Sequence, residues 1–303
     1  MKKITVIYHK DCTDGFSSAV ILNKRLSADP SLVITLLPLS HEDKLPLEIS
    51  EHIFMVDFAY PKKELLELSL YAQSISIYDH HNTAISQLEN IEKDLACPSN
   101  IVLDSSRAAC QITWDESFPG LPRPKSIERI GDRDLGLFSH TETRSITAYF
   151  YSLPQDMKTW SVYLQDDHYN LALIIGEGLE SKAKREVTSL LDKSFLSRIG
   201  GHPVCLVPAE REFASDIGEA MLAKHPDISF SISYRKIDDG FHFSLRSRKG
   251  EFDVSKFSEK FDGGGHSFSA GFVSTFLPWE QVKIPSLLPI ANNELVYSHL
   301  KKI

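Results

Sequence analysis

The chain has 303 residues, 42% hydrophobic and 24% charged, the balance of a folded globular protein long enough for two domains and not of a disordered one. A formal net charge of −8 disfavours broad, non-specific contact with nucleic acid backbone, so a phosphate ligand must meet a local cluster of cations. The first apolar run is cut by His9-Lys10-Asp11 too early for a signal peptide, and no run approaches the roughly 18 apolar residues of a membrane span; four cysteines without metal or disulfide spacing complete the expectation of a reducing cytoplasm.

Residues 4–8 alternate β-branched and aromatic side chains and read as a buried strand ending at His9. Then follows Lys10-Asp11-Cys12-Thr13-Asp14-Gly15-Phe16, where glycine permits a tight turn and small residues open a helix reaching about Leu26. A second strand is expected over 32–37. A third, 53–56, ends at Asp57 and precedes a helix from about Lys62 to Tyr71. Asp57 could simply cap that helix. The run Ser74 to Tyr78 repeats the pattern, with Ile75 and Ile77 on one side, and ends abruptly in Asp79-His80-His81. Ligands collect at the C-terminal ends of strands in open α/β sheets, where an acid and two imidazoles can hold a metal and reach a substrate.

Ile101 to Leu103 is a further strand, leading through Ser105 and Ser106 to a helix whose free N–H groups could hold an anion, though a plain cap explains the serines equally well. Residues 127–138 bring Asp132 and Asp134 around Arg133, as candidate ligands or as an exposed ion-paired loop. From Asn170 to about Arg198 the apolar spacing is helical. Short strands over 204–207, 228–234 and 241–246, with a helix near 215–224, make a second sheet. In Phe261-Asp262-Gly263-Gly264-Gly265-His266, consecutive glycines let backbone amides approach a ligand, with Arg246, Arg248 and His266 as sources of positive charge; a structural glycine turn is the alternative. The expected fold is therefore α/β. A mainly parallel-sheet domain over 1–169 is joined by a helix over 170–199 to a smaller α/β domain over 200–303.

His9 with Asp11 and Asp14, then Asp57, then Asp79-His80-His81, then Asp132 and Asp134, form an oxygen and nitrogen donor set large enough for two metals. A two-metal site clamps attacking and leaving oxygens and activates water, the chemistry of phosphate ester hydrolysis.

These elements, in this order, resemble the DHH phosphoesterases that carry a DHH-associated C-terminal domain. The matching stretches are Tyr8-His9-x-x-Cys12-x-Asp14-Gly15-Phe16, Val56-Asp57-Phe58-x-Tyr60-Pro61, Asp79-His80-His81, Asp132-Arg133-Asp134-Leu135, Ser244-Leu245-Arg246-Ser247, and Gly263-Gly264-Gly265-His266 with Ala270-Gly271-Phe272. The resemblance spans nearly the whole chain and extends to RecJ-like exonucleases, nanoRNases, adenosine bisphosphate phosphatases and dinucleotide phosphodiesterases. It implies that His9 and Asp57 bind one metal and that Asp14, Asp57 and His80 bind the second. His81 would face the scissile phosphate, oriented by Asp79. The remaining carboxylate would be Asp134, whose spacing to Phe138 fits the family, with Asp132 as its rival. Many members have Asp-x-Asp-Gly where this chain has Cys12-Thr13-Asp14-Gly15, so either Asp11 or Cys12 stands in for a missing carboxylate. Arg246, Ser247, Gly263, Gly264, Gly265 and His266 are the implied substrate contacts.

The expected activity is that of a cytoplasmic, nucleotide-binding metal-dependent hydrolase with two Mn²⁺ per active site, Mg²⁺ or Co²⁺ being compatible. It would act as a phosphodiesterase of the nuclease type, releasing nucleoside monophosphates from short oligonucleotides or linear dinucleotides. Rival readings are an adenosine bisphosphate phosphatase, a cyclic dinucleotide phosphodiesterase, or a sensor that binds nucleotide without turnover. Neither a membrane nor long duplex DNA is an expected partner, and a homodimer stays open.

Overall fold

The computed structural model describes residues 1–275 except 41, 42, 45, 47 and 48, and leaves out the His266 side chain. The chain divides into two compact units, Met1–Glu180 and Ser181–Ile303. No helix among the described residues is long and apolar enough to cross a membrane.

In the first unit the order is β1 (Lys2–His9), α1 (Thr13–Leu26), β2 (Leu32–Leu39), β3 (His52–Val56), α2 (Lys62–Ser69), β4 (Ser74–Asp79), α3 (Asn82–Gln87), β5 (Ser99–Leu103), α4 (Ala109–Ser117), α5 (Lys125–Asp134), α6 (Thr143–Ser152) and α7 (Met157–Tyr163). The strands form one sheet in the order β2-β1-β3-β4-β5, every neighbouring pair parallel, so all their C-terminal ends share one edge. Alternation along the strands divides the two faces. Ile4, Val6, Tyr8, Val56 and Tyr78 pack with α1 and α4 to α7. Ile7, Ile53, Met55, Ile75 and Ile77 pack with Leu65 and Leu68 of α2. Both faces are covered, which is why these strands read as nearly unbroken apolar runs. Ile7, Met55, Ile75 and Ile77 are fully buried, each contributing roughly 1.5–3 kcal/mol relative to exposure. The strand order reverses at β1, which has β2 on one side and β3 on the other. In such sheets the crevice beyond that reversal is where ligands lodge.

The helix α8 (Tyr169–Asp192) runs through the division at Glu180. Tyr169 and Ala172 belong to the first unit's core, while Val187, Leu190 and Leu191 pack on Cys205, Ile217 and Met221 of the second. The helical spacing suggested a helix to about Arg198, but the chain turns into β6 (Phe195–Ile199) instead. Gly200 and Gly201, at φ 57° and 82°, form a two-residue turn that pairs β6 antiparallel with β7 (His202–Pro208). The remaining elements are α9 (Ala214–Lys224), β8 (Phe230–Ile237), β9 (Gly240–Arg246), α10 (Val254–Ser258), β10 (Gly264–His266) and β11 (Ser269–Ser274). Six strands lie in the order β10-β11-β9-β8-β7-β6, antiparallel except for β7 and β8, which α9 connects. Their core is aromatic, with Phe272 stacked on Phe243 and Phe261 at centroid distances of 4.6 and 4.5 Å.

Candidate metal centre

The loops after β1, β3 and β4 converge at the common edge. After His9, the Lys10 N–H still bonds to Leu39 O of the neighbouring strand, and Asp11 then takes a left-handed φ of 54° to turn the chain into α1. Cys12 occupies the N-cap position without making a well-aligned side-chain cap bond. Asp14, in the first turn of α1, is 1% exposed and accepts from the N–H groups of Ala109 (2.8 Å) and Cys110 (2.7 Å). The buried first-turn amides of α4 thus hold the chain's own carboxylate, favoured there by the helix dipole, and not the external anion suggested from sequence. Gly15 is required by closeness: a Cβ there would stand 2.7 Å from His9 O and 3.1 Å from Asp57 Oδ2.

Asp57 follows β3 with φ 54°, a conformation uncommon for a residue with a Cβ, and its N–H bonds to Tyr78 O, which locks the turn to β4. Its carboxylate is 1% exposed and neither oxygen accepts a well-aligned hydrogen bond. Three imidazoles surround it: His9 Nδ1 lies 3.5 Å from Oδ2, while His80 Nε2 and His81 Nδ1 lie 3.3 and 3.8 Å from Oδ1. The same His80 nitrogen is 3.2 Å from Asp134 Oδ2 and 3.7 Å from Asp14 Oδ2. Asp79 stands behind: its Oδ1 accepts from the His80 N–H (2.7 Å) and the His81 N–H (3.2 Å) and lies 2.7 Å from His81 Nδ1, fixing that ring.

The electrostatics are those of crowded acids. Burial raises the pKa of Asp14 well above its usual range, and Asp57 and Asp134 add to the effect. Burial and the nearby Asp57 push Asp134 up to about 6. Burial alone would also raise Asp57, but His80, His9 and His81 outweigh it and hold that carboxylate below its ordinary value. His80 loses solvation, yet its bonding to Asp57 and the charges of Asp134 and Asp14 push it up to about 9. Without a metal, a protonated His80 therefore serves as the internal cation among three carboxylates.

The donor set fits divalent metal ions. His9, Cys12 and Asp57 present atoms within 4.8 Å of one another, as do Asp14, His80 and Asp134, and Asp57 also groups with Asp79, His80 and His81. A buried carboxylate whose oxygens accept no well-aligned hydrogen bond needs a cation beside it, a part that His80 fills without a metal and that a divalent ion would fill when bound. Asp57, a member of the first triad and 3.3 Å from His80 of the second, is the residue able to serve both.

Of the residues singled out from sequence, His9, Asp14, Asp57, His80 and Asp134 come together, with Asp79 and His81 beside them. Asp132 does not join them. It is 5% exposed and points the other way, accepting from Ser139 N and Oγ (2.9 and 2.5 Å), His140 N (3.3 Å) and Thr143 Oγ1. Asp11 is exposed and belongs to none of the three groupings among the described residues. Cys12, weighed only as an alternative to Asp11, does belong to one.

In the second unit, Arg246 donates to Leu245 O (2.8 Å) and Ser215 Oγ (2.7 Å), and Ser247 Oγ to Phe252 O (2.6 Å). Arg248 is committed elsewhere: it bonds to the carbonyls of Leu222, His225 and Ile228, tying off the end of α9. The three glycines separate by role. A Cβ at Gly263 would collide with Gly271 O, and one at Gly265, where φ is 138°, would stand 2.5 Å from Ser269 O. Gly264 has nothing within 4 Å and is exposed. Close strand pairing thus accounts for two of them.

No family model matches the chain. Among curated proteins it is 28% identical over 306 residues to the uncharacterized protein R106 of Acanthamoeba polyphaga mimivirus, covering 94% of this chain and 72% of that one. Among solved structures, a pGpG-specific phosphodiesterase, PggH, from Vibrio cholerae has a TM-score of 0.47 at 14% identity, covering 90% of this chain and 93% of the other. RecJ from Thermus thermophilus, solved in complex with Mn²⁺, has a TM-score of 0.48 at 15% identity, covering 90% of this chain and 49% of the other.

Proposed function

We propose that this chain is a metal-dependent phosphoric ester hydrolase of the DHH type, acting on short oligonucleotides or linear dinucleotides and releasing nucleoside monophosphates. The observation that carries the reading is Asp57: a buried carboxylate with no well-aligned hydrogen bond, held in a left-handed turn, grouped with His9 and Cys12 and 3.3 Å from His80 of the second triad. His9 and Asp57 would hold one divalent cation and Asp14, His80 and Asp134 the other, with Asp57 shared. Two such cations supply charge neutralisation at the phosphoryl group and a lowered water pKa.

The chain's own groups do the rest. Asp79 holds His81 at Nδ1, so that Nε2 on the opposite side of the ring would be the atom that meets substrate. Burial disfavours the imidazolium, but the bond to Asp79 and its charge prevail and raise the His81 pKa, which favours the ring as a donor to a phosphoryl or leaving oxygen. Asp14 is immobilised by two amides of α4, which fixes where the carboxylate cluster can close. Arg246 and Gly264 are the second unit's own candidates for a substrate contact.

The test is a side-by-side assay in Mn²⁺ of dinucleotides, adenosine bisphosphate, cyclic dinucleotides and longer single strands. The reading expects the dinucleotides to be turned over fastest, with mononucleotide products. Preference for adenosine bisphosphate or a cyclic dinucleotide would replace the substrate assignment, and binding without hydrolysis of any of them would replace the activity by a sensing role.

A further inference from the structure

The conspicuous departure of the first motif from an all-carboxylate pattern is Cys12, and its surroundings give the thiol a task. Ser, Thr, Asp and Asn are favoured at a helix N-cap because their oxygens take up exposed amides. Cys12 sits at that position in an extended conformation and makes no well-aligned cap bond, its sulfur having at most a weak contact with the Gly15 amide. Its Sγ shares a 4.8 Å grouping with a His9 ring nitrogen and a carboxylate oxygen of Asp57. Asp57 is the independent sign of a ligand: it is 1% exposed, neither oxygen accepts a well-aligned hydrogen bond, and its close neighbours are imidazoles at 3.3–3.8 Å, themselves metal-binding groups. The neighbouring Asp11 is exposed and outside the groupings.

We infer that Cys12 Sγ is a ligand of the cation held by His9 and Asp57, so that this subsite takes Zn²⁺ or Co²⁺ in preference to Mn²⁺, while the carboxylate-rich subsite of Asp14, His80 and Asp134 takes Mn²⁺ or Mg²⁺. The inference rests on the metal-centre reading above and adds that the two subsites are chemically unequal. Thiolate and imidazole select softer ions, whereas carboxylates suit Mn²⁺ and Mg²⁺. As the sulfur–metal bond forms, the S–H proton passes to solvent, and the thiolate is then shielded from electrophiles.

That shielding can be read on the unaltered protein. The metal-free chain is treated with iodoacetamide in the presence of Zn²⁺, Co²⁺ or Mg²⁺, and each cysteine is followed by peptide mass spectrometry, with the partly exposed Cys97 as internal reference. Zn²⁺ and Co²⁺ should slow alkylation of Cys12 at least about tenfold and leave Cys97 unchanged, with little effect of Mg²⁺; loss of outer partners alone weakens metal sites by about 10- to 100-fold, so a direct ligand gives no smaller signal. Equal Cys12 rates with and without Zn²⁺, or failure to bind Zn²⁺ at all, would overturn the inference. In Cys12→Asp, the Zn²⁺-over-Mn²⁺ preference of one metal equivalent should fall by at least about tenfold; an unchanged preference would overturn it as well. Hydrolysis is scored separately. Turnover in Mn²⁺ with an unprotected Cys12 removes this inference and leaves the hydrolase reading standing, whereas a protected Cys12 without turnover does the reverse.

Discussion

Gly15→Ala is the smallest change that reaches the metal centre through the backbone. In an α-helix this substitution ordinarily stabilises by about 0.5–1 kcal/mol, because alanine has less freedom to lose. Here the new Cβ would stand 2.7 Å from His9 O, 3.0 Å from His9 N and 3.1 Å from Asp57 Oδ2, where ordinary contact begins at 3.4 Å. Two of those atoms are backbone at the end of β1, which is paired on both sides, so relief requires moving His9 or tilting α1. Overpacking of this kind costs about 1–3 kcal/mol, and subtracting the helix gain leaves a net loss of about 0–2.5 kcal/mol. For a unit of this size that is a fall of up to about 10 °C in Tm, against a small rise expected without the clash. Displacing His9 from its partner should cost more in function, about ten- to a hundredfold in kcat. The control is Gly178→Ala in α8, where nothing lies within 4 Å and the change should be neutral or stabilising. Thermal melts and hydrolysis of a dinucleotide in Mn²⁺ decide the matter. A Gly15→Ala protein that melts and turns over like Gly178→Ala would refute the packing argument.

His81→Ala should lower kcat about a hundredfold while keeping both metal equivalents, since its ring is assigned to the phosphate; loss of an equivalent by elemental analysis would make it a ligand instead. Arg246→Ala should impair dinucleotide turnover about ten- to a hundredfold more than hydrolysis of a small artificial diester, whereas equal losses with a lower Tm would leave the residue only its structural bonds to Leu245 O and Ser215. Asp132, whose pKa is about 2, loses solvation on burial, but the hydrogen bonds from Ser139, Thr143 and His140 prevail and depress it. A depressed carboxylate contributes stability above its unfolded pKa of about 3.9, lost as pH falls towards 2, so Asp132→Asn should destabilise by about 1–2 kcal/mol near neutrality and less at pH 3. A urea-unfolding difference between the two proteins that does not shrink between pH 6 and pH 3 would contradict that origin.

The strands of the first sheet were legible because both faces are covered, which writes β1, β3 and β4 as apolar runs with polar residues abruptly at their ends. That same abruptness marked His9, Asp57 and Asp79. Asp134 is favoured over Asp132 only through the spacing to Phe138 that the resemblance supplies, since local chemistry does not separate them. Two residues apart on α5 they point to nearly opposite sides, and only the packing of that helix decides which one meets His80. Helical spacing likewise ran past Asp192 into β6, because the glycine turn that reverses the chain acts through pairing with β7. The partner of the α4 amides, 95 residues earlier in Asp14, left no local trace, and neither did the capture of Arg248 by the end of α9.

The central claim is that Asp57 joins two cation sites, and counting metal is its most direct test. Asn is the replacement of choice, since it keeps the size of the side chain and tolerates the left-handed turn at φ 54°. Isothermal titration of metal-free protein with Mn²⁺, checked by elemental analysis, should give two equivalents for the unaltered chain. In Asp57→Asn at least one equivalent should be lost, with hydrolysis reduced more than about a hundredfold. Two equivalents bound with unchanged affinity by Asp57→Asn would contradict the account.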